Sequence, residues 1–115
     1  MIEILAPCGG EDCLPAALNT GADAVYFGTT AFSARKNAKN FTPERAEEAI
    51  RLCHASGVKV HVTMNTLLFD DELSEAVRTA RQLYEAGADA LIVQDLGLVR
   101  RLRSELPDMP LHAST

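Results

Sequence analysis

Val58-Lys59-Val60-His61-Val62-Thr63-Met64-Asn65 alternates apolar and polar side chains without a break. A period of two predicts a β-strand with Val58, Val60, Val62 and Met64 on one face and Lys59, His61, Thr63 and Asn65 on the other. What flanks this strand decides the kind of sheet it joins. Upstream, Thr42-Pro43-Glu44 supplies a capping hydroxyl, a proline at the first helical position and an acid in the first turn. The helix it opens runs to Ser56 and is closed by Gly57. Further back, Ala24-Val25-Tyr26-Phe27 reads as a strand stopped by Gly28. Residues 11–20 read as a helix with Leu14, Ala17 and Leu18 on one face, closed by Gly21. Residues 2–6 read as a first strand ending in the turn Pro7-Cys8-Gly9-Gly10. Downstream, Asp70-Asp71-Glu72 opens a helix whose apolar stripe is Leu73, Ala76, Val77, Ala80, Leu83 and Tyr84, ended by Gly87. Ala90-Leu91-Ile92-Val93 is a fourth strand, residues 96–106 a further helix, and Leu111-His112-Ala113 the start of a fifth strand.

Strictly alternating strands and helices predict a parallel sheet covered by helices. An open doubly wound sheet and a closed barrel compete. The polar face of strand three favours the barrel, where it would look into the lumen; between two helix layers those groups would be costly to bury. A repeat points the same way: Thr20-Gly21-Ala22-Asp23-Ala24-Val25 returns as Ala86-Gly87-Ala88-Asp89-Ala90-Leu91, two βα units later. The fold class is therefore α/β, the N-terminal half of a (β/α)8 TIM-type barrel with four βα units and a fifth strand. A whole barrel takes about 250 residues, whereas this chain has 115. Residues 1–115 are thus expected to form one partial domain, stopping at the fifth strand. Its open edges would be met by a C-terminal half or by self-association, and alone it is expected to be inactive.

The composition, 47% hydrophobic and 23% charged, is that of a globular protein rather than a disordered segment. A net charge of −5 argues against a polyanion binder as a whole but leaves room for a local basic patch. No membrane-length apolar run and no secretory leader are visible, so a cytoplasmic location and no membrane partner are expected. Cys8, Cys13 and Cys53 read as reduced thiols, too few for a metal or cluster site of their own.

In barrel enzymes the active site forms at the C-terminal ends of the strands. Here these carry Gly9-Gly10, Gly28-Thr29-Thr30, Asn65-Thr66, Gln94-Asp95 and His112-Ala113-Ser114-Thr115. His112 is a candidate for proton transfer or oxyanion contact, since imidazole exchanges a proton near neutrality; a hydrogen-bonded interior histidine is the other reading. Asp95 has two readings, acid–base group and helix cap. Arg35, Asn40, Asn65, Gln94 and Ser114 are the candidate substrate-binding residues, with Arg35, Lys36 and Lys39 able to meet a carboxylate, a phosphate or RNA. His61, deeper along its strand, reads as structural and His54, on a helix, as solvent-facing. No metal ligand set is expected.

Several of these stretches also resemble a known family. Glu3-Ile4-Leu5-Ala6-Pro7, Gly21-Ala22-Asp23-Ala24-Val25-Tyr26-Phe27-Gly28, Phe32-Ser33-Ala34-Arg35, Asn40-Phe41, Val62-Thr63-Met64-Asn65-Thr66, Ile92-Val93-Gln94-Asp95-Leu96-Gly97 and His112-Ala113-Ser114-Thr115 occur in order. Together they resemble the start of the collagenase-like peptidase family U32. The resemblance implies two activities for a full-length member. One is hydroxylation of RNA, such as a tRNA wobble uridine or a ribosomal cytidine, or of a small molecule. The other is peptidase action. A non-catalytic half-barrel is a third expectation. The partners implied are RNA, an anionic small molecule or a peptide. Hydroxylating members carry an iron–sulfur cluster on cysteines beyond the stretch matched here, so no cofactor is assigned to these residues. Cys8 departs from the small residue, commonly alanine, that the family pattern carries there.

Overall fold

The computed structural model describes residues 5–7, 21–28, 42–64 and 70–113. Five strands make one parallel sheet in the order β1-β2-β3-β4-β5. They are β1 (Leu5–Pro7), β2 (Ala24–Gly28), β3 (Lys59–Met64), β4 (Ala90–Val93) and β5 (Leu111–Ala113). Three helices are described: α1 (Pro43–Ala55), α2 (Asp70–Ala86) and α3 (Leu96–Glu105). The helix expected over residues 11–20 lies outside the described residues. Each strand pairs with the one before it in sequence, with no reversal of order, as in a barrel and unlike a doubly wound sheet.

The helices form a single layer on one face of the sheet. Helix α1 begins where Thr42 accepts a hydrogen bond from the Arg45 backbone N–H at 3.2 Å. It buries Ala46, Ala49, Ile50 and Cys53, a stripe at helical spacing. Helix α2 buries Ala76, Val77, Ala80 and Leu83, and α3 buries Leu98 and Leu102. These side chains share one core with Val25, Phe27, Val60, Val62, Met64, Leu91 and Val93, the outward face of the strands. Tyr84, expected on the α2 stripe, is instead 37% exposed, and Thr79 is buried on that helix. The buried arc is centred on Ala76, Ala80 and Leu83, so Tyr84 falls at its margin.

The other face of the strands is the lumen side of the arc. In register with one another stand Ala24 and Lys59, Tyr26 and His61, Gly28 and Thr63, and then His61 and Ala90, Thr63 and Ile92. The described strands are thus half of a (β/α) barrel, with the alternation of β3 separating a helix-facing row of valines from a polar lumen row.

The repeated corner has a physical purpose. Gly87 ends α2 with φ +105°, a conformation that disfavours side chains, and Gly21 occupies the same place before β2 with φ +78°. Two residues on, Asp89 accepts from the Val60 backbone N–H at 2.7 Å and from His54 Nε2 at 2.8 Å. At this second copy of the repeat, the aspartate thus ties the start of β4 to β3 and to the end of α1.

Candidate functional site

His61 and His112 come together in the lumen. Their ring centroids are 5.2 Å apart and the rings stand nearly perpendicular, at 80°. This edge-to-face arrangement sets the positive rim of one ring against the π face of the other. The two strands are not neighbours: β4 runs between them. Following the sheet register from His61 to Ala90, and then along the β4–β5 pairing of Leu91 with Leu111, leads to position 110. The ring that His61 meets is two residues further on. A two-residue offset across two strands is the stagger of a closed barrel, in which alternate strands contribute side chains to one layer. Ala90, between them, carries only a methyl group and leaves the rings room to touch.

Below the imidazoles lies an open cleft of about 290 Å³ lined by Lys59, His61, Asp89, Ala90, Pro110 and His112. Lys59 and His112 are exposed, whereas His61 is buried, at 9%. His61, expected to be structural, is buried and also meets His112, a contact that the pattern of a single strand does not reveal. The usable signal was the stagger: a histidine on strand three and another on strand five, offset to the same layer.

At the C-terminal ends of the strands, Gln94 is exposed and Asp95 is half-buried. Asp95 caps α3: its Oδ1 accepts from the Leu98 backbone N–H at 3.0 Å. Gly97 stands beside it, where an added Cβ would come within 3.1 Å of that same oxygen. Asp95 is thus the N-cap of α3. Arg35, Asn40, Asn65 and Ser114 lie outside the described residues, so His112, Gln94 and Asp95 are the predicted site residues that the structure places. His54, read as solvent-facing, is 40% exposed and bound to Asp89.

Cys53 is fully buried on the inner side of α1. Burial, and then the nearby Asp89 carboxylate, push its thiol above the ordinary value of 9.0. That is the reverse of an activated nucleophile or a ready metal ligand. Among the described residues, no three His, Cys, Asp or Glu side chains gather in a way that could hold a metal. No helix among them is long and apolar enough to cross a membrane.

Comparisons with known proteins agree with this architecture. The solved structure of the U32 peptidase Mk0906 superposes with a TM-score of 0.75 at 16% identity, over 99% of this chain and 49% of that one. The 23S rRNA 5-hydroxycytidine C2501 synthase of Escherichia coli (strain K12) is 45% identical over 99% of this chain and 17% of its own length. The tRNA hydroxylation protein P of the same organism is 36% identical over 97% of this chain and 25% of its own length. A collagenase of Porphyromonas gingivalis is 35% identical over 82% of this chain and 23% of its own length. The chain thus spans a quarter or less of these three relatives. Residues 9–115 match the sequence model of Peptidase family U32, and the chain belongs to that family.

Proposed function

We propose that this chain supplies the first half of the barrel of an RNA-hydroxylating protein, acting in the cytoplasm on a pyrimidine of ribosomal or transfer RNA. The observation that carries this reading is its 45% identity with a 23S rRNA 5-hydroxycytidine synthase across nearly all its length. In this reading the rim of the barrel binds the nucleotide. Gln94, exposed at the end of β4, offers both a donor and an acceptor to a base edge. Arg35, Asn40, Asn65 and Ser114 are the other substrate-binding residues of this reading, with Arg35 on a phosphate. His112 moves a proton to or from the reacting ring, and Asp95 orients the rim while holding α3. A cluster or other redox group of the whole protein would be carried by residues elsewhere.

The similarity to a collagenase favours a second reading, peptidase action. Within the described residues Cys53 is unsuited to it, being buried and held protonated. Deleting the full-length gene from its own organism and analysing rRNA and tRNA nucleosides by mass spectrometry separates the two. Loss of a hydroxylated pyrimidine supports RNA hydroxylation. An unchanged nucleoside profile, with loss of gelatin cleavage, would establish the peptidase instead.

A further inference from the structure

We propose that His61 is a positioning residue for His112, fixing the direction in which that imidazole meets the substrate. The activity arm of this inference rests on the reading of His112 above; the structural arm does not.

His112 lies on β5, whose burial pattern is open: Leu111 is half-buried, and His112 and Ala113 are exposed. Among the described residues, the ring that His112 meets is that of His61. His61 sits mid-strand in β3, between Tyr26 on one side and Ala90 on the other, and is buried. Its perpendicular contact with His112 at 5.2 Å restricts the second ring to the orientation that sets edge against face. Ala90 completes the device, since a larger side chain in its place would separate the rings. The polar face of strand three thus has a division of labour. Lys59 lies at the entrance of the cleft, and His61 aims a group on another strand.

In the full-length protein, His61→Ala is therefore expected to lower kcat for RNA hydroxylation about three- to tenfold with KM little changed. His61→Phe retains an aromatic ring for the contact and is expected to stay within about twofold of wild type. NMR of the histidine ring protons in the same protein reads the contact without any assay of activity. The His112 ring protons are expected to carry a ring-current displacement in wild type and in His61→Phe, and to lose it in His61→Ala. Should His61→Ala fail to fold, a His61→Leu variant of similar bulk without a ring current takes its place. An unchanged His112 spectrum in the ring-less variant would overturn the proposal, as would wild-type kcat in a folded one. Absence of hydroxylation in the wild type would overturn the functional reading alone, leaving the spectra to decide on His61.

Discussion

Asp89 Oδ2 accepts two hydrogen bonds at once, from His54 Nε2 at 2.8 Å and from the Val60 backbone N–H at 2.7 Å. One carboxylate oxygen thus ties the last turn of α1, the third strand and the entry to the fourth. Its neighbour Gly87 lies so close that an added Cβ would stand 3.3 Å from His54 Cε1. The corner is a single packed unit made from residues far apart in sequence.

Removing the carboxylate should therefore cost more than removing the imidazole. Asp89→Ala leaves the Val60 N–H without its partner, an effect of about 1–3 kcal/mol. His54→Ala removes one part-exposed contact, about 0.5–1.5 kcal/mol. Urea unfolding of the two variants of the full-length protein gives the order directly. Equal midpoints for both would show that Val60 finds water without penalty.

Gly87→Ala tests the conformation of the same corner. At φ +105° a side chain is strained, and here it also presses on His54. A loss of about 1–3 kcal/mol is expected, whereas Gly21→Ala, with open space around its Cβ position, should suffer from the backbone alone and lose less. Thermal unfolding of both variants measures the difference.

Cys53 gives the account a pH signature. Folding raises the pKa of its thiol above 9.0, through burial first and the Asp89 charge second. A raised pKa means that the folded state favours the protonated form. Its contribution to stability is thus fully present below the unfolded pKa and lost as pH rises through the folded one. Wild type should lose stability above about pH 9 more steeply than Cys53→Ala, although the variant starts lower because of its cavity. Parallel stability–pH curves for the two proteins would contradict this.

Asp95 can be divided between its two roles. Serine is as good a helix cap as aspartate but carries no charge. Asp95→Ala should lose about 0.5–2 kcal/mol of stability, and Asp95→Ser little. If the carboxylate also takes part in the reaction, both variants lose hydroxylation at least tenfold. Full activity in Asp95→Ser would leave it a cap and nothing more.

Much of this fold was legible in the sequence because its signals are local. Thr42-Pro43-Glu44 opens α1 as its chemistry requires, and the strictly alternating run from Val58 became β3 with the valines facing the helices. Ala90 to Val93 and Leu111 to Ala113 fell where their apolar runs indicated. The first strand reaches Pro7 rather than ending at position 6, which a proline tolerates at the border of the described sheet. The site was less legible. Asp95 carries the same residue type whether it caps or catalyses, and sequence could not separate these. His54 on a helix gave no sign of a partner thirty-five residues away. The meeting of His61 and His112 depends on barrel stagger, a property of closure that no single strand displays.

Gain of the modification is the direct test of RNA pyrimidine hydroxylation by the whole protein. The full-length gene is expressed in Escherichia coli lacking its 23S rRNA 5-hydroxycytidine synthase, and the nucleosides of that rRNA are measured by mass spectrometry. 5-Hydroxycytidine is expected to reappear, or a hydroxylated uridine to rise in tRNA, and the His112→Ala variant is expected to restore neither. Unmodified RNA from cells that accumulate the folded protein, together with cleavage of gelatin by it, would contradict the account and make the protein a peptidase.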